Sequence, residues 1–127
     1  FVGQNLVKML IKRDFNLKST KTLILGFTFK ENCPDFRNTK VIDIFSELKS
    51  FGLKVDIYDP LVSSSEVFDE FQINILKKSQ LNLKSYNSII IAVAHKEFFK
   101  LKITKSESQI VYDLKGILNK KNVDARL

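Results

Sequence analysis

A few side chains in this sequence have the chemistry to hold or attack a polar ligand, and most follow closely on apolar, β-prone runs. They are Lys30, Cys33, Arg37, Asp59, His95 and Lys115. Lys30 and Lys115 are cationic point charges that suit an anionic ligand, without the bidentate fork of arginine. Cys33 is the one thiol. Lys30 and Arg37 stand near it in sequence and would favour a thiolate, but a nucleophile also needs the reacting carbon beside it. A structural or incidental role is the expectation. His95 is the sole histidine. It has the chemistry of a general acid or base, yet no carboxylate partner is evident, and a structural hydrogen bond at a strand end is expected. Asp59 precedes Pro60, and a turn-forming Asp-Pro is expected over a ribose ligand. Arg37 has Asp35 two residues away, a surface pair that would contribute only about 0–1 kcal/mol.

These residues need elements to position them. Val2, Leu6, Met9 and Leu10 recur near helical spacing, which predicts an amphipathic helix over residues 1–13. Residues 22–28 form a continuous apolar run, as in a strand buried on both faces. The loop FKENCPDFR follows, with Pro34 opposing regular structure. Asn38 or Thr39 is expected to cap a helix carrying Val41, Ile42, Phe45 and Leu48, and Gly52 to end it. A second strand is predicted in KVDIYDP, a short helix over 64–71, and a short third strand in QINIL. Residues 77–85 are read as weakly patterned helix, 88–94 as a fourth strand, KEFFKL as a helical turn, 109–115 as a fifth strand and the polar tail as loop. Alternating strands and helices, with two strands apolar on both faces, predict an α/β fold. The expectation is a Rossmann-like, doubly wound, mostly parallel sheet of about five strands with helices on both faces. Ligands of such sheets bind at the strand carboxyl ends beside the switch in strand order. Lys30 and Lys115 are expected to flank one crevice there.

A chain of 127 residues with 44% apolar and 28% charged side chains fits one globular domain. No apolar run approaches the length that spans a bilayer. A single cysteine excludes an internal disulfide and a cysteine-based zinc site. A cytoplasmic location and no metal are expected. The formal charge of +7 raises nucleic-acid binding. The excess is lysine scattered among Asp and Glu, with no aromatic platform beside a basic cluster, so nucleic acid is not expected as a partner. GFTFKEN follows the first strand where a dinucleotide fold needs G-x-G-x-x-G, so this domain is not expected to be the main cradle of a dinucleotide. The chain starts at Phe1 and already reads as helix there, as expected of a piece of a longer protein.

The run GFTFKENCPDFRNTKVIDIFSELKSFGLKVDIYDP, with IIIAVAHKEF and VYDLKGIL later, resembles the C-terminal domain of the UDP-glucose/GDP-mannose dehydrogenase family. The likeness extends over essentially the whole chain. Residues 1–15 resemble the end of that family's central helix and 16–127 its UDP-sugar-binding domain. The resemblance implies an enzyme that oxidises the C6 alcohol of a UDP-sugar to a carboxylate, with NAD bound mainly by another domain and self-association in the longer enzyme. The forms ENCPDFRNTK and AVAHKEF look like the branch acting on UDP-N-acetylhexosamines. It implies that Phe29 and Lys30 contact the UDP-sugar and that Arg37 reaches the NAD. Where the family has an arginine in a D-G-R motif against substrate, Asp113-Leu114-Lys115 stands here, which keeps the charge and loses the fork. It implies that no catalytic residue lies in this chain, since the family's nucleophilic cysteine does not match Cys33. The competing expectation is a receiver-like or other non-catalytic α/β signalling module. Lys115 after the fifth strand fits it; the missing acidic pair after the first does not.

Overall fold

The computed structural model describes residues 1–104 and 106–127. Five parallel strands form one sheet: β1 (Lys21–Leu25), β2 (Lys54–Tyr58), β3 (Ser88–Ile91), β4 (Ile110–Asp113) and β5 (Ala125–Arg126). Their order is β2-β1-β3-β4-β5. The chain leaves β1 toward one edge and returns at β3 to build toward the other. The switch in strand order therefore lies between β1 and β3, where the register sets Leu25 opposite Ile91.

Strand alternation divides the core in two. Ile24, Ile57, Ile90 and Tyr112 face one layer, and Leu23, Leu25, Ile89, Ile91 and Val111 face the other. The first layer is covered by α1 (Val2–Lys12), α2 (Val41–Ser50) and α3 (Ser64–Phe71). Among the described residues, the second is covered by short 3₁₀ turns at Lys78–Gln80, Leu83–Ser85 and Lys96–Lys100 and the chain beside them, with Tyr86, Phe98 and Ile103 inserted, and by Val123 near the C-terminus. Helices on both faces were expected; the second cover is built from single turns because those segments are too short and too weakly patterned to propagate a helix. The stretch 77–85 is thus two turns. QINIL is not a strand but a single parallel bridge from Ile75 to Ile57. The tail, expected as loop, supplies a turn at Lys120–Asn122 and the edge strand β5. The run 109–115 is consequently the fourth strand, and Lys115 follows β4.

Local signals account for the helices that position the rim. Lys40 is the N-cap of α2 and lends it no side-chain bond; Thr39, one residue ahead, accepts the Val41 N–H at 3.2 Å in its place. Gly52, at φ +89°, ends it in the left-handed region. Ser63 caps α3 by accepting the Glu66 N–H.

The opening helix belongs to the same packed body. Leu6 and Leu10 are fully buried and join Ile24, Leu48 and Tyr112 in one core. Glu47 of α2 accepts the Gly3 N–H at 2.8 Å, serving as a cap supplied from another element. At the other end Arg13 donates to the Ser106 and Glu107 carbonyls at 2.8 and 2.7 Å and pairs with Asp124 at 3.2 Å. Leu10→Ala should therefore lower global stability by about 2–5 kcal/mol in one cooperative transition. Chemical denaturation checks this; a wild-type midpoint would show that α1 packs independently.

Candidate functional site

The carboxyl ends of β1, β2 and β3 are locked around one buried carboxylate. Asp59 leaves β2 with its side chain fully buried. Its Oδ2 accepts the backbone N–H of Phe27 at 2.7 Å and of Thr28 at 3.2 Å, both from the segment leaving β1. Its Oδ1 accepts the Leu61 N–H at 2.8 Å and closes the Asp-Pro turn. His95, also fully buried and just beyond β3, brings Nε2 to within 2.8 Å of Oδ2. The partner that the sequence did not reveal for His95 is thus Asp59. The two reach each other across the end of β1, spanning roughly 10 Å of strand spacing.

Hydrogen-bond logic assigns the histidine tautomer. His95 Nδ1 lies 3.0 Å from the Asn32 N–H and must accept it, so Nε2 carries the proton and donates to Asp59. Thr28 Oγ1, 3.1 Å from Nε2, donates its own proton to the Lys30 carbonyl at 2.9 Å. Asn32, at φ +57°, returns a bond through Oδ1 to the Lys96 N–H at 2.9 Å. Gly26, at φ +106°, makes room for this crossing, since a Cβ there would lie 2.6 Å from the Val93 Cβ. Phe27 and Phe36 anchor the two ends of the loop against Phe71 of α3, with ring centroids 5.6 and 6.2 Å away.

Above this floor the candidate residues stand in solvent. Phe29 and Lys30 are exposed on the β1–α2 loop. Among the described residues Lys30 makes no ion pair within 4 Å. Lys115 is exposed on the turn after β4, where buried Asp113 accepts the N–H groups of Lys115, Gly116 and Leu118 at 2.8–3.1 Å. Lys30 and Lys115 therefore share one rim, on loops that flank the end of β3. Arg37 does not stand free. It holds Asp35 through Nε and Nη2 at 3.0 and 2.9 Å, and its hydrogen bonds pull the exposed Asp35 carboxyl down to about 2. Pro34, Asp35, Phe36 and Arg37 face Glu66, Asp69 and Glu70 of α3 across a groove of about 620 Å³.

Cys33 is a free, half-buried thiol on the same loop. Both nitrogens of His95 are already engaged, so the histidine is no base for Cys33. Both oxygens of Asp59 point inward to protein donors, which fits a turn-former and not a ribose ligand. Among the described residues no group of three or more His, Cys, Asp or Glu is arranged for a metal, and no helix is long and apolar enough to cross a membrane. Phe29, Lys30 and Lys115 stand past the strand carboxyl ends where sequence reasoning put them, and Arg37 lies farther along the β1–α2 loop, paired with Asp35. That reasoning missed Thr28 and Asn32 and the pairing of Asp59 with His95. The signal was present: a carboxylate and an imidazole each close a strand that neighbours β1.

The model of the UDP-glucose/GDP-mannose dehydrogenase family, UDP binding domain, matches residues 23–120. The chain belongs to that family. Its UDP-binding domain fold includes every rim residue just described. Among curated relatives, the UDP-N-acetyl-D-glucosamine 6-dehydrogenases of Salmonella typhi and Pseudomonas aeruginosa are each 40% identical over the whole of this chain. Protein CapL of Staphylococcus aureus is 37% identical, again over the whole chain. The chain spans 31% of the length of each of these relatives. The solved UDP-D-ManNAc dehydrogenase of Pyrococcus horikoshii superposes with a TM-score of 0.76 at 20% identity, over 98% of this chain and 29% of that one, a likeness of fold.

Burial pushes the Asp59 carboxyl up, but the bond from His95 and those from the Phe27 and Leu61 N–H groups outweigh it and leave it below the ordinary value. A carboxyl lowered by folding gives its full stabilisation above its unfolded pKa, about 3.9, and loses it as the pH falls through the folded value. The domain should therefore lose stability in acid below about pH 4. Asp59→Asn should flatten part of that slope and cost about 1–3 kcal/mol at neutral pH. Urea midpoints from pH 7 to pH 2 check both; parallel curves for wild type and Asp59→Asn would refute the role of this carboxylate.

Proposed function

We propose that this family member is the UDP-sugar-binding half of a cleft in an NAD-dependent nucleotide-sugar 6-dehydrogenase. Its substrate would be a UDP-N-acetylhexosamine, oxidised at the C6 alcohol to a carboxylate. The observation that carries the reading is Lys30, an exposed ammonium without an ion-pair partner among the described residues, fixed on the carboxyl rim beside the switch in strand order. Asp35, an anion whose carboxyl feels the Lys30 charge, is already paired with Arg37. Lys30 is thus a positive charge outside any ion pair among the described residues, where an open parallel sheet presents its ligand. Lys115 supplies a second cation on the neighbouring loop, and exposed Phe29 an apolar face for a base or sugar ring. The relatives that span the whole chain at 40% identity act, by name, on UDP-N-acetyl-D-glucosamine, which supports the choice of sugar.

The residues present do not fit the main NAD site. The Phe27 and Thr28 N–H groups, which would have to face a pyrophosphate, are taken by Asp59. α2 begins fifteen residues beyond Gly26, counting Val41 from position 26, too far for its N-terminus to serve that turn. In this reading the dinucleotide is held by another domain, and Arg37 meets it from this side of the cleft. Asp35, Glu66, Asp69 and Glu70 around Arg37 disfavour a diphosphate there, so Arg37 would meet a hydroxyl-bearing part. The group oxidising the alcohol and any covalent nucleophile lie outside this chain, and the domain acts by holding and orienting substrate. Self-association of the longer enzyme and a cytoplasmic location belong to the same reading; the free thiol is consistent with a reducing compartment.

A receiver module shares the observed order β2-β1-β3-β4-β5. It needs an acidic cluster at the ends of β1 and β3, where Phe29-Lys30 and Ala92-Val93 stand instead.

UDP titrated into this chain should bind weakly, with Kd about 0.1–10 mM because a single wall of the cleft is present. Amide shifts should centre on Phe29–Asn32 and 114–116. Lys30→Ala should weaken binding about tenfold or more, as loss of a charged hydrogen bond does, and Lys115→Ala by less. Two-dimensional NMR reads all three; shifts confined to other faces, or an unaltered Kd in Lys30→Ala, would sink the assignment.

A further inference from the structure

We propose that His95 is a positioning residue for the nucleotide diphosphate: it carries no contact to ligand and sets the backbone that presents Lys30. This rests on the reading of Lys30 just given. The β1–α2 loop is long and solvent-exposed, and a lysine on a loose loop would spend little time aimed at an anion. Two bonds fix the stretch that carries it. Thr28 Oγ1 donates to the Lys30 carbonyl at 2.9 Å, and Asn32 donates its N–H to His95 Nδ1 at 3.0 Å. Asn32 sits in the left-handed region at φ +57°, which asparagine tolerates better than most residues. The second hold on Asn32 runs from the Lys96 N–H to its Oδ1, again from the residue next to His95.

The imidazole thus works as a two-ended spacer. Its Nε2–H is fixed by Asp59, which also gathers the Phe27 and Thr28 N–H groups at the loop root. Its Nδ1 reaches outward to the loop tip. Root and tip are referred to the same buried carboxylate, and Phe98, whose ring centroid lies 5.3 Å away, keeps the imidazole plane in place. A histidine kept merely for core stability would need the inner bond alone. The outer bond, spent on an exposed loop two residues from Lys30, is what assigns the positioning role.

The two ends can be severed separately. A glutamine amide falls near Nε2 and an asparagine oxygen near Nδ1. His95→Gln keeps a donor for Asp59 and releases the Asn32 N–H. His95→Asn keeps an acceptor for Asn32 and takes a donor from Asp59. The experiment measures the UDP Kd, the melting temperature and the Asn32 amide exchange rate for this chain and both variants. His95→Gln should raise Kd about three- to tenfold and speed Asn32 exchange, with the smaller loss of melting temperature. His95→Asn should hold Kd within about twofold and melt roughly 5 °C lower. If His95→Gln does not fold, Thr28→Val severs the bond to the Lys30 carbonyl while leaving His95 in place, and should raise Kd by a similar factor. UDP binding by wild type with an unchanged Kd in His95→Gln, or in Thr28→Val when it stands in, would overturn the positioning role alone. A Kd that rises in step with lost stability in both histidine variants would do the same. Failure of the wild-type chain to bind UDP at all would overturn the reading on which the inference rests.

Discussion

One buried carboxylate organises the rim. Asp59 has no access to solvent, and an unpaired carboxylate in that position would be prohibitive. It is tolerated because both oxygens are met: three backbone N–H groups and the imidazole converge on them. Those donors come from the exits of three different strands. Satisfying the charge therefore fixes how β1, β2 and β3 end relative to one another, and any loop grown from these ends inherits that geometry. Asp113 repeats the device on β4 with three N–H groups of a single turn. The rim thus has anions below, fully consumed by protein donors, and lysines above in solvent.

That division explains why the lower side chains are poor candidates for chemistry despite their types. Asp59 and His95 form a buried acid–base pair of the sort that catalysis employs, and in isolation such a pair is a functional-site candidate. Here the acceptor nitrogen is filled by Asn32, and the carboxylate has no open direction. A pair with all its hydrogen-bonding capacity spent inside the protein is a brace. Lys30, Phe29 and Lys115 are the opposite case, with side chains reaching outward and few obligations within the fold.

Elements were legible wherever their signal was local. β1, β3 and β4 are apolar runs, α2 carries Thr39 before it and Gly52 after it, and α3 has Ser63 at its cap. Each follows from spacing and capping chemistry. What was misread depended on neighbours distant in sequence. QINIL has strand composition, but the edge position beyond β2 gives it one bridge at Ile75. Ala125–Arg126 looks like polar tail, and it becomes strand because β4 offers a free edge. The site divides in the same way. Lys30 and Arg37 stand in one contiguous motif and could be singled out from it, whereas Asp59 and His95 are thirty-six residues apart. Their meeting follows from the strand order, which residue types do not encode.

In the proposed reading, this fold meets an anion by a route different from that of a dinucleotide fold. There, glycines bring backbone N–H groups and a helix N-terminus to the phosphates, and the charge is held by fixed dipoles. Here the corresponding N–H groups at Phe27 and Thr28 face inward to Asp59, and Thr39 occupies the Val41 N–H at the start of α2. Those three N–H groups are taken, so in the proposed reading attraction comes chiefly from the side-chain cations above them. A lysine ammonium is flexible, hydrated and easily screened, and by itself a weak and unselective anchor. Its value rises only if the backbone carrying it is held still and a second wall excludes water. The bonds from Thr28, Asn32 and His95 meet the first requirement within this chain. The second calls for a facing surface, which is why a rim built this way makes physical sense as one side of a cleft.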